Sequence, residues 1–226
     1  MIVSFSGCDG AGKSTQINQL IKSLRLNGYK VKYIWSRGGY TPTFSIAKIC
    51  VLWMFGKNKK NSKKLVKLDK NYSNRRQKIL QNKTIACIWL SLAIIDIALL
   101  YGVYVRCLSK VGIIVICDRY VADTKIDFER NFSENFSDKG ILWRLFVILA
   151  PRPKINVVIT VPTNVSLARS KLKGEPFPDS EKTLEFRLNC YKTRPEFYGA
   201  KTLRIDGTNS VDNCHKIIND AVLLLC

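Results

Sequence analysis

Residues 7–15 have the sequence Gly7-Cys8-Asp9-Gly10-Ala11-Gly12-Lys13-Ser14-Thr15, directly after an apolar run at residues 1–5. The stretch fits the pattern G-x-x-x-x-G-K-[ST], whose backbone N–H groups surround a phosphate chain. Glycines suit such a loop because they place no Cβ atom between the backbone and the phosphate. A helical apolar repeat follows, at Ile17, Leu20, Ile21 and Leu24. Strand, loop and helix together predict a phosphate-binding site; the alternative is a glycine-rich turn that contains a lysine by chance.

The parts of this phosphate loop (residues 7–15) have separate expected roles. Lys13 is expected to contact the β and γ phosphates of a nucleotide, and Ser14 to offer its hydroxyl to Mg²⁺. The helix that begins there directs the positive end of its dipole at the anion. The residues predicted to bind the nucleotide are Gly7, Asp9, Gly10, Ala11, Gly12, Lys13, Ser14 and Thr15.

Further apolar segments alternate with helical patterns and predict more strands, at residues 31–35, 113–117, 157–161 and 202–205. The segment at 113–117 is apolar without interruption, as a parallel sheet covered on both faces requires. With residues 1–5, the pattern predicts an α/β fold of three layers, in which a five-stranded parallel sheet has helices on both faces. No Pro/Ser-rich linker divides the 226 residues, so we expect a single domain over 1–226.

The net charge of +20 is high for an enzyme that acts on small molecules. Residues 57–83 contain eleven Lys or Arg against Asp69 alone, and we interpret them as a basic insertion. The insertion is expected to be a solvated segment, or else to contact a polyanion or an anionic membrane surface. The sequence also leaves open whether the chain forms a homodimer.

Residues 85–105 form the longest apolar run, long enough to raise the question of a membrane span. We expect instead a central helix buried on most sides, because Asp96 would be costly in lipid and the strand that follows belongs to the sheet. The eight cysteines form no C-x-x-C pair and predict reduced thiols within the core. No export signal is visible, so the expected location is the cytoplasm, or peripherally the inner membrane surface.

Charged residues follow several of the predicted strands. Asp118-Arg119-Tyr120 ends the strand at 113–117, where ligands bind in open α/β sheets. Arg37 lies in a glycine-containing loop after residues 31–35. Residues 169–182, which include Arg169 and Lys173, have the pattern of a basic helix, a turn and a second helix, and this pattern predicts a lid. Each feature has a structural alternative. Asp118 and Arg119 could form a structural ion pair, Arg37 could lie in a solvated turn, and residues 169–182 could form a surface helical hairpin.

These features, in this order, resemble the thymidylate kinase group of the P-loop nucleoside monophosphate kinases. The resemblance covers nearly the whole chain except about residues 43–83: the phosphate loop with its acidic Asp9, the segment Arg37-Gly38-Gly39-Tyr40-Thr41-Pro42, the Asp118-Arg119-Tyr120 strand end, the lid, and Asp206-Gly207-Thr208. It implies a P-loop kinase fold and a transferase of nucleotide biosynthesis that uses ATP and Mg²⁺ on a small phosphate acceptor, most directly dTMP.

The resemblance also implies roles for the site residues. Ser14 and Asp118 would hold Mg²⁺, the latter through water or by positioning Arg119. Arg119 and Arg37 would steady the transferring and acceptor phosphates, with Arg169 and Lys173 arriving when the lid closes. Lys13 would hold the donor, and Asp9 would orient the acceptor or an arginine.

The acceptor side departs from the family pattern. Where the family has a stacking aromatic and, four residues later, a phosphate-binding arginine, this chain has Ala93 and Ile97. Neither side chain can do that work. Two alternatives therefore stay open: a P-loop kinase that acts on a sugar, nucleoside or lipid-linked glycan at a membrane surface, and a nucleotide- or nucleic-acid-binding protein without catalysis.

Overall fold

The computed structural model describes residues 1–36, 82–173 and 179–226. Its five strands are β1 (Ile2–Gly7), β2 (Val31–Trp35), β3 (Ile114–Asp118), β4 (Ile155–Thr160) and β5 (Thr202–Asp206). They form one parallel sheet in the order β2-β3-β1-β4-β5, which confirms the predicted P-loop kinase fold. β1 and β3 are buried along their whole length, whereas the edge strands β2 and β5 are partly exposed.

The helices of the described part are numbered in chain order. They are α1 (Lys13–Leu26), α2 (Lys83–Leu99), α3 (Arg106–Lys110), α4 (Val121–Asn131), α5 (Ile141–Leu149), α6 (Thr163–Leu172), α7 (Glu181–Thr193) and α8 (Val211–Leu223). A π-helical segment, Leu100–Val105, joins α2 to α3, so that Lys83–Lys110 forms one long helix.

The apolar side chains divide between the two faces of the sheet. Phe5 and Val3 of β1 pack with the buried leucines of α1 and with Ile218 and Val222 of α8. On the other face, Val115 and Cys117 of β3 pack with α2, α4 and α5. A smaller cluster joins β4 to α7. The alternation of side chains along each strand therefore produces the helix, sheet and helix layers.

The long helix is less enclosed than the sequence suggests. By length and composition it could cross a membrane, with a mean hydropathy of 2.2 in its most apolar window, and 44% of that window is buried. Ala93, Ile97 and Tyr101 lie in the core, but Leu99 and Val103 are more than half exposed. It therefore buries one face against the sheet and leaves an apolar face outside, rather than being buried on most sides.

Some sequence-based expectations fall outside the described residues. They concern Arg37, residues 57–81 of the basic insertion, and residues 174–178 of the predicted lid. Among the described cysteines, Cys8, Cys117, Cys190 and Cys214 are buried as expected, whereas Cys87, Cys107 and Cys226 are exposed.

Candidate functional site

The phosphate loop connects the end of β1 to the start of α1. Gly7 and Gly10 both have positive φ angles, 147° and 76°. A Cβ atom at Gly7 would lie 2.2 Å from the Ile159 carbonyl oxygen, and one at Gly10 would lie 2.6 Å from that of Ser166. Both positions therefore require glycine for backbone conformation and for space, so the loop is fitted between β4 and α6.

Lys13 points back over the loop. Its Nζ donates to the carbonyl oxygens of Gly7 and Cys8, both at 2.8 Å, and lies 4.0 Å from a carboxylate oxygen of Asp9. Burial, and next the charge of Arg119, lower the pKa of Lys13. Asp9, Asp118 and Asp123 favour its charged form, and a buried cation beside a cavity would also interact favourably with an added anion.

Arg119 directly follows β3 and faces the loop. Its Nη2 donates to Asp9 Oδ1 at 2.7 Å, while its Nη1 is buried and has no hydrogen-bond partner. Burial opposes the charge, but nearby Tyr191 and Asp9 outweigh it, so the pKa of Arg119 is raised above its ordinary value. Its φ of 75° is the only positive φ among the described non-glycine residues. Such strain costs about 1–3 kcal/mol and is typical of functional sites.

Asp118, at the end of β3, has one carboxylate oxygen that accepts a hydrogen bond and one that does not. The hydroxyl of Tyr33 donates to Oδ2 at 3.2 Å, whereas Oδ1 is buried without a hydrogen-bond partner. Ser14, in the first turn of α1, is exposed to the same cavity. These hard oxygen donors fit Mg²⁺, which usually binds to one or two protein oxygens together with substrate phosphates. The described residues contain no group of three or more His, Cys, Asp or Glu side chains that could hold a metal without a substrate.

The predicted site residues converge on one cavity of about 400 Å³. Those that line it are Asp9, Gly10, Gly12, Lys13, Ser14, Thr15, Asp118, Arg119, Arg169 and Lys173. Gly7 and Ala11 shape the loop without lining the cavity, and Arg37 lies outside the described residues. A larger groove of about 1040 Å³, under α5, contains no phosphate-loop residue. The cavity beside the loop is therefore the candidate site, although it is the smaller of the two.

The helix that leads into the predicted lid is bonded to the phosphate loop and to the turn after β5. The Ser166 hydroxyl on α6 donates to the Asp9 carbonyl, and Arg169 Nη1 donates to the Gly207 carbonyl at 2.9 Å. On the far side, Arg187 of α7 is buried between Asp127, at 2.5 Å, and Asp179, at 3.2 Å. Both ends of the segment 169–182 are thus held in place.

Sequence reasoning missed Asp123 of α4, which links β1 to α7. Its carboxylate accepts hydrogen bonds from Ser6 Oγ at 2.6 Å, from the Tyr191 hydroxyl at 2.8 Å and from the Tyr120 N–H at 3.2 Å. Burial raises the pKa of Asp123. Its position, three residues after the strand-end Tyr120, was the available signal, because an acidic residue there can bond the N–H that begins a helix.

Sequence reasoning also missed Trp35, the last residue of β2. It lines the cavity, is 47% exposed and pairs in register with Asp118. By contrast, Ala93 and Ile97 of α2 are 1% and 0% exposed, within the core cluster that includes Cys117 and Tyr120. Of Trp35, Ala93 and Ile97, only Trp35 lines the cavity where a ligand would bind.

No family model matches this chain. It is 27% identical to a thymidylate kinase of Thermosipho africanus over 231 aligned positions, which cover 98% of this chain and 97% of that protein. It is 43% identical to a thymidylate kinase of Pelodictyon phaeoclathratiforme over 49 positions, which cover 22% and 23% of the two chains. The chain is therefore similar along nearly its whole length to one thymidylate kinase, at an identity that indicates a distant relationship.

Proposed function

We propose that this protein is an ATP- and Mg²⁺-dependent kinase, most directly a nucleoside monophosphate kinase that converts dTMP and ATP to dTDP and ADP. The observation that carries the proposal is the convergence of Lys13, Asp118 and Arg119 on the cavity beside the phosphate loop. The similarity to thymidylate kinases supports a nucleotide substrate. We expect the reaction to take place in the cytosol.

The phosphate loop would bind the donor. Gly10, Gly12 and Lys13 line the cavity at the N-terminus of α1, where their backbone N–H groups would bind phosphates and the helix dipole favours negative charge. Lys13 Nζ would exchange its bonds to two loop carbonyls for bonds to phosphate oxygens. Charge-assisted bonds to phosphate are stronger than bonds to neutral carbonyls, so the exchange favours ATP binding.

Ser14 and Asp118 would hold Mg²⁺ together with the donor phosphates. When bound, the ion supplies charge neutralisation at the β and γ phosphates. Asp118 Oδ1 is suited to this role because it is buried and otherwise without a hydrogen-bond partner. Tyr33 fixes the orientation of that carboxylate through its other oxygen.

The remaining cations would act on the phosphoryl group during transfer. Arg119 has a free Nη1 and is held by Asp9, so its orientation is set before substrate binds. Such preorganisation is the main contribution a protein makes to phosphoryl transfer. Arg169 and Lys173, from the predicted lid, also line the cavity. Arg37 belongs to the same proposal through the sequence resemblance alone.

A second candidate function keeps the donor site and changes the acceptor to a sugar, a nucleoside or a lipid-linked glycan. The observation that favours it is the burial of Ala93 and Ile97. These positions correspond to the aromatic and arginine that hold the acceptor in the family that the chain resembles. Since both are core residues here, the acceptor must be recognised by other side chains.

A turnover assay with ATP and Mg²⁺ tests both candidates. The acceptor panel holds dTMP, other nucleoside monophosphates, nucleosides and sugars, and Lys13→Ala is compared with Lys22→Ala, an exposed lysine on the same helix. Turnover of dTMP that is lost only in Lys13→Ala supports the first proposal. Silence on all nucleotides with turnover of another acceptor supports the second. Turnover that survives Lys13→Ala contradicts the proposed site.

A further inference from the structure

The edge strand β2 carries a tyrosine whose side chain reaches the end of β3. Tyr33 pairs in register with Ile116, and Asp118 lies two residues further along β3. Two residues of a strand span about 6.6 Å and return to the same face of the sheet, so Tyr33 and Asp118 share a face. The Tyr33 hydroxyl covers this distance and donates to Asp118 Oδ2 at 3.2 Å. A short hydroxyl side chain such as serine could not reach the carboxylate from this position.

Tyr33 contacts Asp118 from outside the candidate site. Among the described residues that line the cavity of about 400 Å³, Asp118 is included and Tyr33 is not. The Tyr33 side chain is 42% exposed on the edge strand, whereas Asp118 is only 5% exposed. Removal of the Tyr33 hydroxyl would therefore change how Asp118 is held without removing a group that lines the cavity.

The hydrogen bond gives the two carboxylate oxygens of Asp118 different environments. Oδ2 accepts from Tyr33, whereas Oδ1 is buried and has no hydrogen-bond partner. The backbone next to Asp118 is also held, because the Arg119 N–H donates to the Phe5 carbonyl at 2.8 Å. Carboxylates that bind metals are usually oriented by a hydrogen bond of this kind. Asp118 is thus fixed with one oxygen left for a cation.

Asp118 is also the better placed of the two carboxylates that line the cavity. The other is Asp9, which is paired with Arg119 at 2.7 Å and lies 4.0 Å from Lys13 Nζ. A cation at Asp9 would have to compete with these two positive charges. A cation that enters with the nucleotide is therefore expected to bind Asp118.

The number of oxygens that a carboxylate offers distinguishes Mg²⁺ from Ca²⁺. Mg²⁺ requires near-octahedral geometry, keeps several waters and takes one or two carboxylates together with substrate phosphates. Ca²⁺ is larger, takes about six to eight oxygens in a flexible arrangement, and can bind both oxygens of one carboxylate. Binding through both oxygens of Asp118 would disrupt the hydrogen bond from Tyr33. That bond therefore favours the cation that needs one oxygen.

We propose that Tyr33 makes Asp118 a one-oxygen ligand and so gives the nucleotide site a preference for Mg²⁺ over Ca²⁺. The inference rests on the proposed function, because it requires a cation to bind beside Ser14 and Asp118 together with the nucleotide phosphates. Tyr33 is a positioning residue in this account, since it acts through Asp118. Without its hydroxyl, Asp118 could turn and offer both oxygens, which suits Ca²⁺ better than Mg²⁺.

The test is the binding of a non-hydrolysable ATP analogue to the full chain, measured by titration calorimetry with Mg²⁺, with Ca²⁺ and with EDTA. The variant Tyr33→Phe removes the hydroxyl and keeps the ring. The matched control is Tyr29→Phe, at an exposed tyrosine just before the same strand that does not line the cavity. Circular dichroism and thermal unfolding check that each variant is folded.

The wild type and Tyr29→Phe are expected to bind the analogue more tightly with Mg²⁺ than with Ca²⁺. Tyr33→Phe should lose about tenfold in affinity with Mg²⁺, the effect usual for the hydrogen-bond partner of a metal ligand, and change by less than about twofold with Ca²⁺ or EDTA. The preference for Mg²⁺ then falls about tenfold. In an Asp118→Ala background, Tyr33→Phe should have almost no further effect, because the carboxylate through which it acts is absent.

Two results would overturn this inference and leave the proposed function intact. In the first, the wild type binds the analogue with Mg²⁺, and the folded Tyr33→Phe variant keeps the same preference for Mg²⁺ within about twofold. In the second, Tyr33→Phe loses affinity equally with Mg²⁺, Ca²⁺ and EDTA, which would assign Tyr33 to nucleotide binding and not to the cation. Absence of binding to the wild type under all three conditions would contradict the proposed function and this inference together.

Discussion

At the scale of single residues, Arg119 combines three features that rarely occur together. It is 4% exposed, has a positive φ, and retains a buried Nη1 without a hydrogen-bond partner. A protein keeps an unpaired buried donor and a strained backbone at a cost of a few kcal/mol. The phosphate of a substrate would offset that cost in the bound state.

We therefore predict that Arg119→Ala lowers kcat by about 10²–10³ and leaves the protein folded, since one preorganised charge is lost from the transition state. Steady-state kinetics with ATP and the active acceptor measure the effect, and Arg130→Ala, on an arginine outside the cavity, serves as the control. A kcat within about twofold of the wild type would remove Arg119 from the proposed mechanism.

Cys8 lies inside the phosphate loop but is predicted to be chemically inert. Burial raises the pKa of its thiol to about 11, so almost no thiolate exists at neutral pH. Mass spectrometry after brief iodoacetamide treatment at pH 7 should find Cys87 and Cys107, which are exposed, labelled before Cys8 and Cys117. Early labelling of Cys8 would mean that the loop opens in solution.

At the scale of secondary-structure elements, Lys125 ties α4 to two neighbouring segments. Its Nζ lies 2.9 Å from Glu196 and 3.2 Å from Asp138. Burial would lower the pKa of Lys125, but these carboxylates outweigh it and raise the value. Burial likewise opposes the charge of Glu196, and its bond to Lys125 lowers the pKa of that carboxyl overall.

The sign of the pH dependence follows from these shifts. The contribution of Glu196 is present above its ordinary pKa of 4.5 and is lost as pH falls through the lower folded value. Lys125→Met should therefore cost about 0.5–1 kcal/mol of unfolding free energy at pH 7, and less in acid. Urea unfolding at both pH values measures this, with Lys216→Met as the control. A loss of unfolding free energy that is the same at both pH values would contradict the stabilising role given to the Lys125–Glu196 pair.

The interpretation of α2 as a core element is tested at Ile97. Because this side chain is fully buried, Ile97→Ala should lower the unfolding free energy by about 2–4 kcal/mol. The KM of the folded variant for its acceptor should stay within about twofold of the wild type. A large rise in KM with little loss of stability would place Ile97 at the acceptor after all.

The sequence predicted local features better than long-range ones. The strands were predicted correctly, and residues 7–15 join a strand to a helix as expected, because each of these features depends on neighbouring residues: an apolar run, a glycine pattern, a lysine. Asp123 and Trp35 were missed because their roles depend on partners distant in sequence, Tyr191 in one case and Asp118 in the other. The exposed face of the long helix was missed because composition alone does not distinguish a helix buried all round from one buried on one side.

At the scale of the whole molecule, the sheet order accounts for the position of the site. β1 lies at the centre, with β3 on one side and β4 on the other, so the phosphate loop, Asp118 and α6 meet at the carboxyl edge.

The most direct test of the central claim is the binding of a non-hydrolysable ATP analogue with Mg²⁺, measured by titration calorimetry. We predict saturable 1:1 binding to the wild type and to Lys22→Ala, and at least about tenfold weaker binding to Lys13→Ala, because in the proposed complex Lys13 would contact the donor phosphates. Absence of binding to the wild type, or equal affinity in Lys13→Ala, would contradict the claim that this loop holds a nucleotide.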